Sequence, residues 1–168
     1  SSPQLSPDGQ DVVFRSSVTG TPQLWTLPVA GGAPRQLTFG NGVTFARWLP
    51  DSSGILYGAD NNGDEQESYL FISRDGSSER EIFSATQGGF RALGDIGSDN
   101  DSLFLASTER TGLHYDIYQG SISSGDLELI FEGNYGNFAR ALSPDGRYLV
   151  VTETVGEDAD YLYLLDTT

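Results

Sequence analysis

The chain has 168 residues, 37% hydrophobic and 11% aromatic, which suits a globular domain with a core and excludes a disordered polymer. Cysteine is absent, which removes disulfides, thiolate nucleophiles and cysteine-ligated zinc. Twenty-four acidic residues face nine basic ones, all arginine, for a net charge of −15, so nucleic-acid backbones and anionic membrane surfaces are repelled and neither is an expected partner.

Residues 1–9 are polar and broken by Pro and Gly, and no apolar run approaches the roughly 18 residues of a transmembrane helix, so the chain reads as soluble. The missing initiator Met suggests a trimmed or excised segment. An acidic, lysine-free surface resembles that of proteins from salt-rich environments, where ions screen carboxylates from one another.

A repeat organises the chain. Leu5-Ser6-Pro7-Asp8-Gly9 returns as Leu142-Ser143-Pro144-Asp145-Gly146, with Trp48-Leu49-Pro50-Asp51-Ser52-Ser53-Gly54 and a degraded Ile96-Gly97-Ser98-Asp99-Asn100-Asp101 between. In the Pro-Asp-Gly turn, Pro presets φ, the Asp carboxylate caps the turn and Gly takes the positive φ; this is turn chemistry rather than catalysis.

In the first unit (residues 1–40) the turn leads into a strand at Val12-Val13-Phe14. A second strand follows at Gln23-Leu24-Trp25-Thr26-Leu27, then a turn at Ala30-Gly31-Gly32 and an outer strand at Arg35-Gln36-Leu37-Thr38. The second unit (41–85) repeats this with Ile55-Leu56-Tyr57, Ser68-Tyr69-Leu70-Phe71-Ile72 and the turn Asp75-Gly76-Ser77. The third (86–133) has Leu103-Phe104-Leu105, Asp116-Ile117-Tyr118 and the outer strand Leu127-Glu128-Leu129-Ile130-Phe131. The fourth (134–168) runs Phe138 to Leu142, Tyr148 to Thr152, a polar loop and Tyr161 to Leu165, with no outer strand. Twenty-one glycines and seven prolines leave no room for long helices.

Single meanders cannot bury both faces, so the fold class is all-β: a β-propeller segment of about four four-stranded antiparallel blades, the last incomplete. The open edge predicts homodimers or truncation from a larger propeller.

Gln23-Leu24-Trp25, Gly31-Gly32-Ala33-Pro34-Arg35-Gln36-Leu37-Thr38 and Phe45-Ala46-Arg47-Trp48-Leu49-Pro50-Asp51 together resemble the TolB-like propeller repeat. Asp60-Asn61-Asn62-Gly63-Asp64-Glu65, placed before the strand Ser68 to Ser73, is similar to the second blade of acylaminoacyl-peptidase-like members of the prolyl oligopeptidase superfamily. The resemblance implies a non-catalytic propeller that packs on an α/β-hydrolase domain and restricts access to peptide-sized substrates. The family's catalytic serine, aspartate and histidine lie in that hydrolase domain and have no matching positions here.

No catalytic residue or cofactor is expected within these 168 residues. Gly120-Ser121-Ile122-Ser123-Ser124-Gly125 has the wrong spacing for a Gly-x-Ser-x-Gly nucleophile elbow, and the single histidine, His114, rules out a His-based zinc site. Asp60, Asn62 and Asp64 alternate oxygen ligands as a calcium loop does, but position 71 is Phe where such a loop needs Glu, so an Asx-turned acidic loop is the rival reading. Arg47, Arg91 and Arg140 each follow an aromatic by one or two residues, which predicts a recurring blade position. Such arginines form ion pairs with turn aspartates, or line a channel that guides an anionic peptide terminus.

Overall fold

A computed structural model describes residues 3–60 and 63–168. Its described residues are all-β, and their strands pair as four antiparallel meanders in chain order, the blades of a β-propeller. The first blade is β1 (Gln4–Leu5), β2 (Asp11–Ser16), β3 (Gln23–Pro28) and β4 (Arg35–Gln36). The second is β5 (Val43–Trp48), β6 (Gly54–Ala59), β7 (Ser68–Ser73) and β8 (Glu79–Phe83). The third is β9 (Arg91–Ile96), β10 (Ser102–Ser107), β11 (Asp116–Ser121) and β12 (Leu127–Phe131). The fourth has three strands among the described residues: β13 (Asn137–Leu142), β14 (Tyr148–Gly156) and β15 (Ala159–Asp166).

The repeated turn is held by its own side chains. Ser6 Oγ donates to Asp8 Oδ1 at 2.7 Å and accepts from Asp11 N–H at 3.0 Å, and Ser143 Oγ does the same with Asp145 (2.5 Å) and Tyr148 N–H (2.9 Å). Backbone bonds from Ser6 to Asp11, Leu49 to Gly54, Gly97 to Ser102 and Ser143 to Tyr148 fix which residues correspond from blade to blade. Gly9 and Gly146 take positive φ as the repeat requires, but Ser52 (63°) and Asn100 (62°) fill that role in the middle blades. Ser52 is compensated by burial and by accepting Asp8 N–H on its Oγ at 3.1 Å. Gly54 is thereby freed for the strand, where a Cβ would lie 2.3 Å from the Phe71 ring.

Two elements differ from the sequence expectation. The outer strand expected to reach Thr38 is a strand only over Arg35–Gln36; one further backbone bond, from Leu37 N–H to the Leu24 carbonyl at 2.8 Å, follows before Thr38 turns its hydroxyl inward to accept Leu24 N–H (2.9 Å) and donate to Gln23 Oε1 (2.6 Å). The polar loop expected before Tyr161 is instead a continuation of the β14–β15 hairpin, with Gly156 opposite Ala159.

The chain divides into two compact units, one ending at Ala85 and the other beginning at Thr86. In the first, Val13, Leu24 and Leu37 of the first blade pack with Val43, Ala46, Ile55 and Ile72 of the second. Gln4 Nε2 donates to the Ala46 carbonyl at 2.7 Å, tying the innermost strands together. In the second unit, Phe104, Ala106 and Ile117 pack with Ala139, Leu149 and Val151, and Ile130 and Phe131 flank them. Burying one such aliphatic side chain contributes about 1.5–3 kcal/mol, and here each core is shared by two meanders.

Strand β9 approaches β13 closely enough for Asp95 Oδ2 to accept Leu142 N–H at 2.9 Å. Gly94 permits this approach, since a Cβ there would lie 2.5 Å from Ala139 Cβ and 2.9 Å from the Ala139 carbonyl atoms. Gly94→Ala is therefore expected to destabilise the second unit by about 1–3 kcal/mol through overpacking, read from denaturant unfolding. An unchanged midpoint would contradict the packing described.

Candidate functional site

Strand β15 differs from its counterparts in the other blades. The turn bonds and the ladder registers place Leu162, opposite Thr152, at the position of Leu24 (opposite Arg15), Tyr69 (opposite Gly58) and Ile117 (opposite Ala106). Leu24, Tyr69 and Ile117 are each 0% exposed, whereas Leu162 is 72% exposed. Two residues on, Leu164 is 66% exposed where Thr26 in the first blade is buried.

The difference lies in what covers the strand. Leu37 N–H pairs with the Leu24 carbonyl, Phe83 lies opposite Tyr69, and Phe131 lies opposite Ile117, so each buried residue has an outer segment beside it. The Tyr69 ring also stands edge-on to Phe45 at 5.0 Å and to Phe83 at 6.3 Å. Strand β15 pairs only with β14 among the described residues, leaving a free edge and an apolar face. With a period of two, Asp160, Leu162, Leu164 and Asp166 share that face, an apolar pair between two carboxylates. On the opposite face the Tyr163 hydroxyl donates to Glu153 Oε2 at 2.6 Å.

The three arginines read as one recurring position do not share a register. Arg47 lies opposite Leu56, which corresponds to Phe104 opposite Asp95, whereas Arg91 lies opposite Ser107, and Arg140 falls within a bulge between Ala139 and Ala141. Bulges in β5, β9 and β13 add a residue at different points, so equal sequence spacing does not give equal placement. Their surroundings differ as well. The Arg91 side chain is only 7% exposed and pairs with Glu109 at 2.9 Å. Arg140 donates to Thr152 Oγ1 at 2.8 Å and lies 5.2 Å from the centre of the Phe138 ring, and Arg47 is exposed. The carboxylate that meets Arg91 is Glu109, in the turn that follows β10.

In the acidic loop, Asp60 Oδ1 accepts Gly63 N–H at 3.3 Å and Asp64 Oδ1 accepts Gln66 N–H at 3.1 Å, bonds of the Asx-turn kind. Asn62, the third calcium candidate, lies outside the described residues. No cluster of three metal-ligating side chains occurs among the described residues.

Two ion-pair centres were not foreseen in the sequence. Arg74, in the turn after β7, reaches Asp8 and Asp11 of the first blade at 2.5 Å each, and its N–H donates to the Ser53 carbonyl at 2.9 Å. Arg35 reaches back to the carbonyls of Arg74 (3.0 Å) and Asp75 (2.5 Å). Together they wall a cleft of about 650 Å³ with Asp11, Ser53 and Asp75. Both guanidinium groups are engaged by the chain itself, so the cleft acts as a clasp between blades. In the second unit, Arg110 grips the buried Asp116 with two bonds, at 2.7 and 2.8 Å, and Asp116 also accepts Gly133 N–H at 2.9 Å. Burial pushes the Asp116 carboxyl up, but these bonds outweigh it and hold the group below the ordinary range. Arg74 sits in a turn and Arg110 in a loop, and nothing in the local pattern marks their partners.

The hydrogen bond from Ser6, then the guanidinium of Arg74, holds Asp8 at about 2, and Ser77 and Ser73 hold Asp75 at about 2. A depressed carboxylate contributes stability that is complete above its ordinary pKa near 3.8 and is lost as pH falls through the folded value. The clasp is therefore expected to weaken between about pH 4 and pH 2.

The family model of the TolB beta propeller domain matches residues 1–168. Comparison with the curated proteins gives no match. Among solved structures, a putative TolB from Agrobacterium tumefaciens is 21% identical with a TM-score of 0.75, over 97% of this chain and 60% of that one. An oligogalacturonate lyase from Vibrio parahaemolyticus is 15% identical with a TM-score of 0.75, over 92% and 45%. The acylaminoacyl peptidase of Pyrococcus horikoshii is 19% identical with a TM-score of 0.66, over 99% and 30%. The chain thus spans less than two thirds of the length of each, and these likenesses establish the fold.

Replacing Arg74 with Gln is expected to raise the pH of acid unfolding, and the shift should shrink at about 1 M salt, where the screening length is about 3 Å. Superimposable acid-unfolding curves for R74Q and the parent chain would show that the clasp carries no stability.

Proposed function

Because the chain belongs to the TolB β-propeller domain family, we propose that it is the non-catalytic propeller segment of a serine peptidase of the prolyl oligopeptidase superfamily. In this reading it packs on an α/β-hydrolase domain and limits access to peptide-sized substrates. The observation that carries the reading is that all four meanders align with less than a third of an acylaminoacyl peptidase chain. The acidic loop before β7 supports the same branch. The lack of a Gly-x-Ser-x-Gly elbow in these residues fits chemistry supplied from elsewhere. Under this reading the exposed arginines Arg47 and Arg140 face peptide termini or structural carboxylates, and the acidic loop stays a turn without calcium.

A second reading is a TolB-like interaction or ligand-binding propeller that self-associates. It is favoured by the apolar face of β15, which is the kind of surface that association buries.

The two are separated by the native protein. An antibody to this segment captures it, and a fluorophosphonate probe then tests for an activated serine on the captured polypeptide. The peptidase reading predicts a labelled polypeptide larger than the 18.1 kDa of this chain. An unlabelled polypeptide would overturn it and leave the interaction module.

A further inference from the structure

Glycine follows aspartate or asparagine at five places in the chain: Asp8-Gly9, Asn41-Gly42, Asn62-Gly63, Asp75-Gly76 and Asp145-Gly146. Such pairs share a covalent liability. The glycine nitrogen, unshielded by a side chain, attacks the side-chain carbonyl carbon of the residue before it and closes a five-membered succinimide ring. The attack needs a nitrogen that sheds its proton and a carbonyl carbon that accepts electrons. A hydrogen bond donated by the glycine N–H opposes the first, and an ionised carboxyl group opposes the second.

In four of the five pairs the glycine N–H is already donated. Gly9, Gly76 and Gly146, in turns of one design, donate to the carbonyls of Ser6, Ser73 and Ser143, each at 2.8 Å. Hydrogen bonds from Ser6, Ser77 and Ser143 also hold the three aspartate carboxyls below their ordinary range, so these groups stay ionised. Gly63 donates to Asp60 Oδ1 at 3.3 Å, with Asp64 and Glu65 next in the chain, so loss of its proton works against carboxylate charge.

Asn41-Gly42 is the exception. Gly42 N–H donates no hydrogen bond among the described residues, and the linker is held on either side of it instead. Gln23 Nε2 donates to the Gly40 carbonyl at 2.8 Å, and Val43 N–H donates to the Pro22 carbonyl at 2.8 Å. Asn41 is exposed, and no ionisable residue occurs from Gln36 to Ala46.

We propose that Asn41 is a site of spontaneous covalent modification, selected by the fold from among these five pairs. The Gly42 nitrogen bonds to Asn41 Cγ, the Cγ–N bond of the side-chain amide breaks, and ammonia leaves with the proton that the glycine nitrogen gave up. Water then opens the ring. Attack at Cγ gives aspartate, whereas attack at the main-chain carbonyl carbon gives isoaspartate, in which the chain runs on through Cβ and Cγ and the former main-chain carbonyl is a free carboxylate. Either product adds one negative charge to a chain of −15. Isoaspartate also lengthens the linker between the first two blades by one carbon. It sets a carboxylate where the Asn41 carbonyl now meets Nε2 of the buried Gln23 at 3.5 Å. The inference does not depend on the peptidase reading.

The test incubates the folded chain at mildly alkaline pH and follows all five pairs by peptide mapping, with fragmentation that separates isoaspartate from aspartate. Asn41 is expected to convert about tenfold faster than Asn62, with no isoaspartate formed at Asp8, Asp75 or Asp145 in that time. In concentrated urea, where the hydrogen bonds of the fold are gone, the two asparagines should react at similar rates. Gly42→Ala should slow Asn41 by about tenfold and leave Asn62 unchanged. A Cβ at Gly42 would lie 3.6 Å from Pro22 Cδ, an ordinary contact, so G42A keeps the fold. Asn41→Gln, which would have to close a six-membered ring, should give the same protection. A folded chain in which Asn62 matches or outpaces Asn41 overturns the proposal. So does a rate ratio that urea leaves unchanged, for then the fold plays no part in the selection.

Discussion

An antiparallel meander has two faces and two edges, and water accepts neither a large apolar face nor a long open ladder without cost. That constraint governs this chain. In three blades the second residue of the third strand is fully buried: Leu24, Tyr69 and Ile117. Each reaches that state because an outer segment lies beside it and because other strands cover its face, as the shared cores of the two units show for Leu24 and Ile117. The third strand of the fourth blade has the same apolar pattern, Tyr161-Leu162-Tyr163-Leu164-Leu165, with no outer strand beside it among the described residues.

The polar devices serve the same packing. Ser-Asp pairs lock the repeated turns, so that the strands leave them at a fixed register. The Arg74 clasp and the Asp95 bond join neighbouring blades at their margins, where apolar packing gives way to solvent. The paired Arg110 and Asp116 show the stricter case, in which a carboxylate is buried because two guanidinium bonds and a backbone N–H satisfy it. Losing Arg110 would leave the buried Asp116 charge with only the Gly133 N–H to compensate it.

Strand order and blade phase were legible in the sequence because they rest on local signals: alternation in Ile55-Leu56-Tyr57, and Pro-Asp-Gly chemistry at residues 7–9 and 144–146. What failed was placement that depends on bulges. Arg47, Arg91 and Arg140 look equivalent by spacing from an aromatic, yet one extra residue in each inner strand moves them to different registers. Ser52 shows a similar limit, since its left-handed backbone is supported by a bond from Asp8 N–H, 44 residues away, that no local pattern reveals. The Arg74 clasp spans 63 and 66 residues of sequence to reach Asp11 and Asp8, beyond any window in which spacing is informative. The exposure of β15 was foreseeable from the strand count, since its sheet has three strands among the described residues.

The most direct test of the central claim, that cover by an outer strand decides the stability of each third strand, is native-state amide hydrogen exchange resolved by residue. The account predicts that amides of β7 and β11 exchange only through large-scale opening, while those of β15 exchange through local opening at a much lower free energy. Uniform protection across β7, β11 and β15 would contradict it.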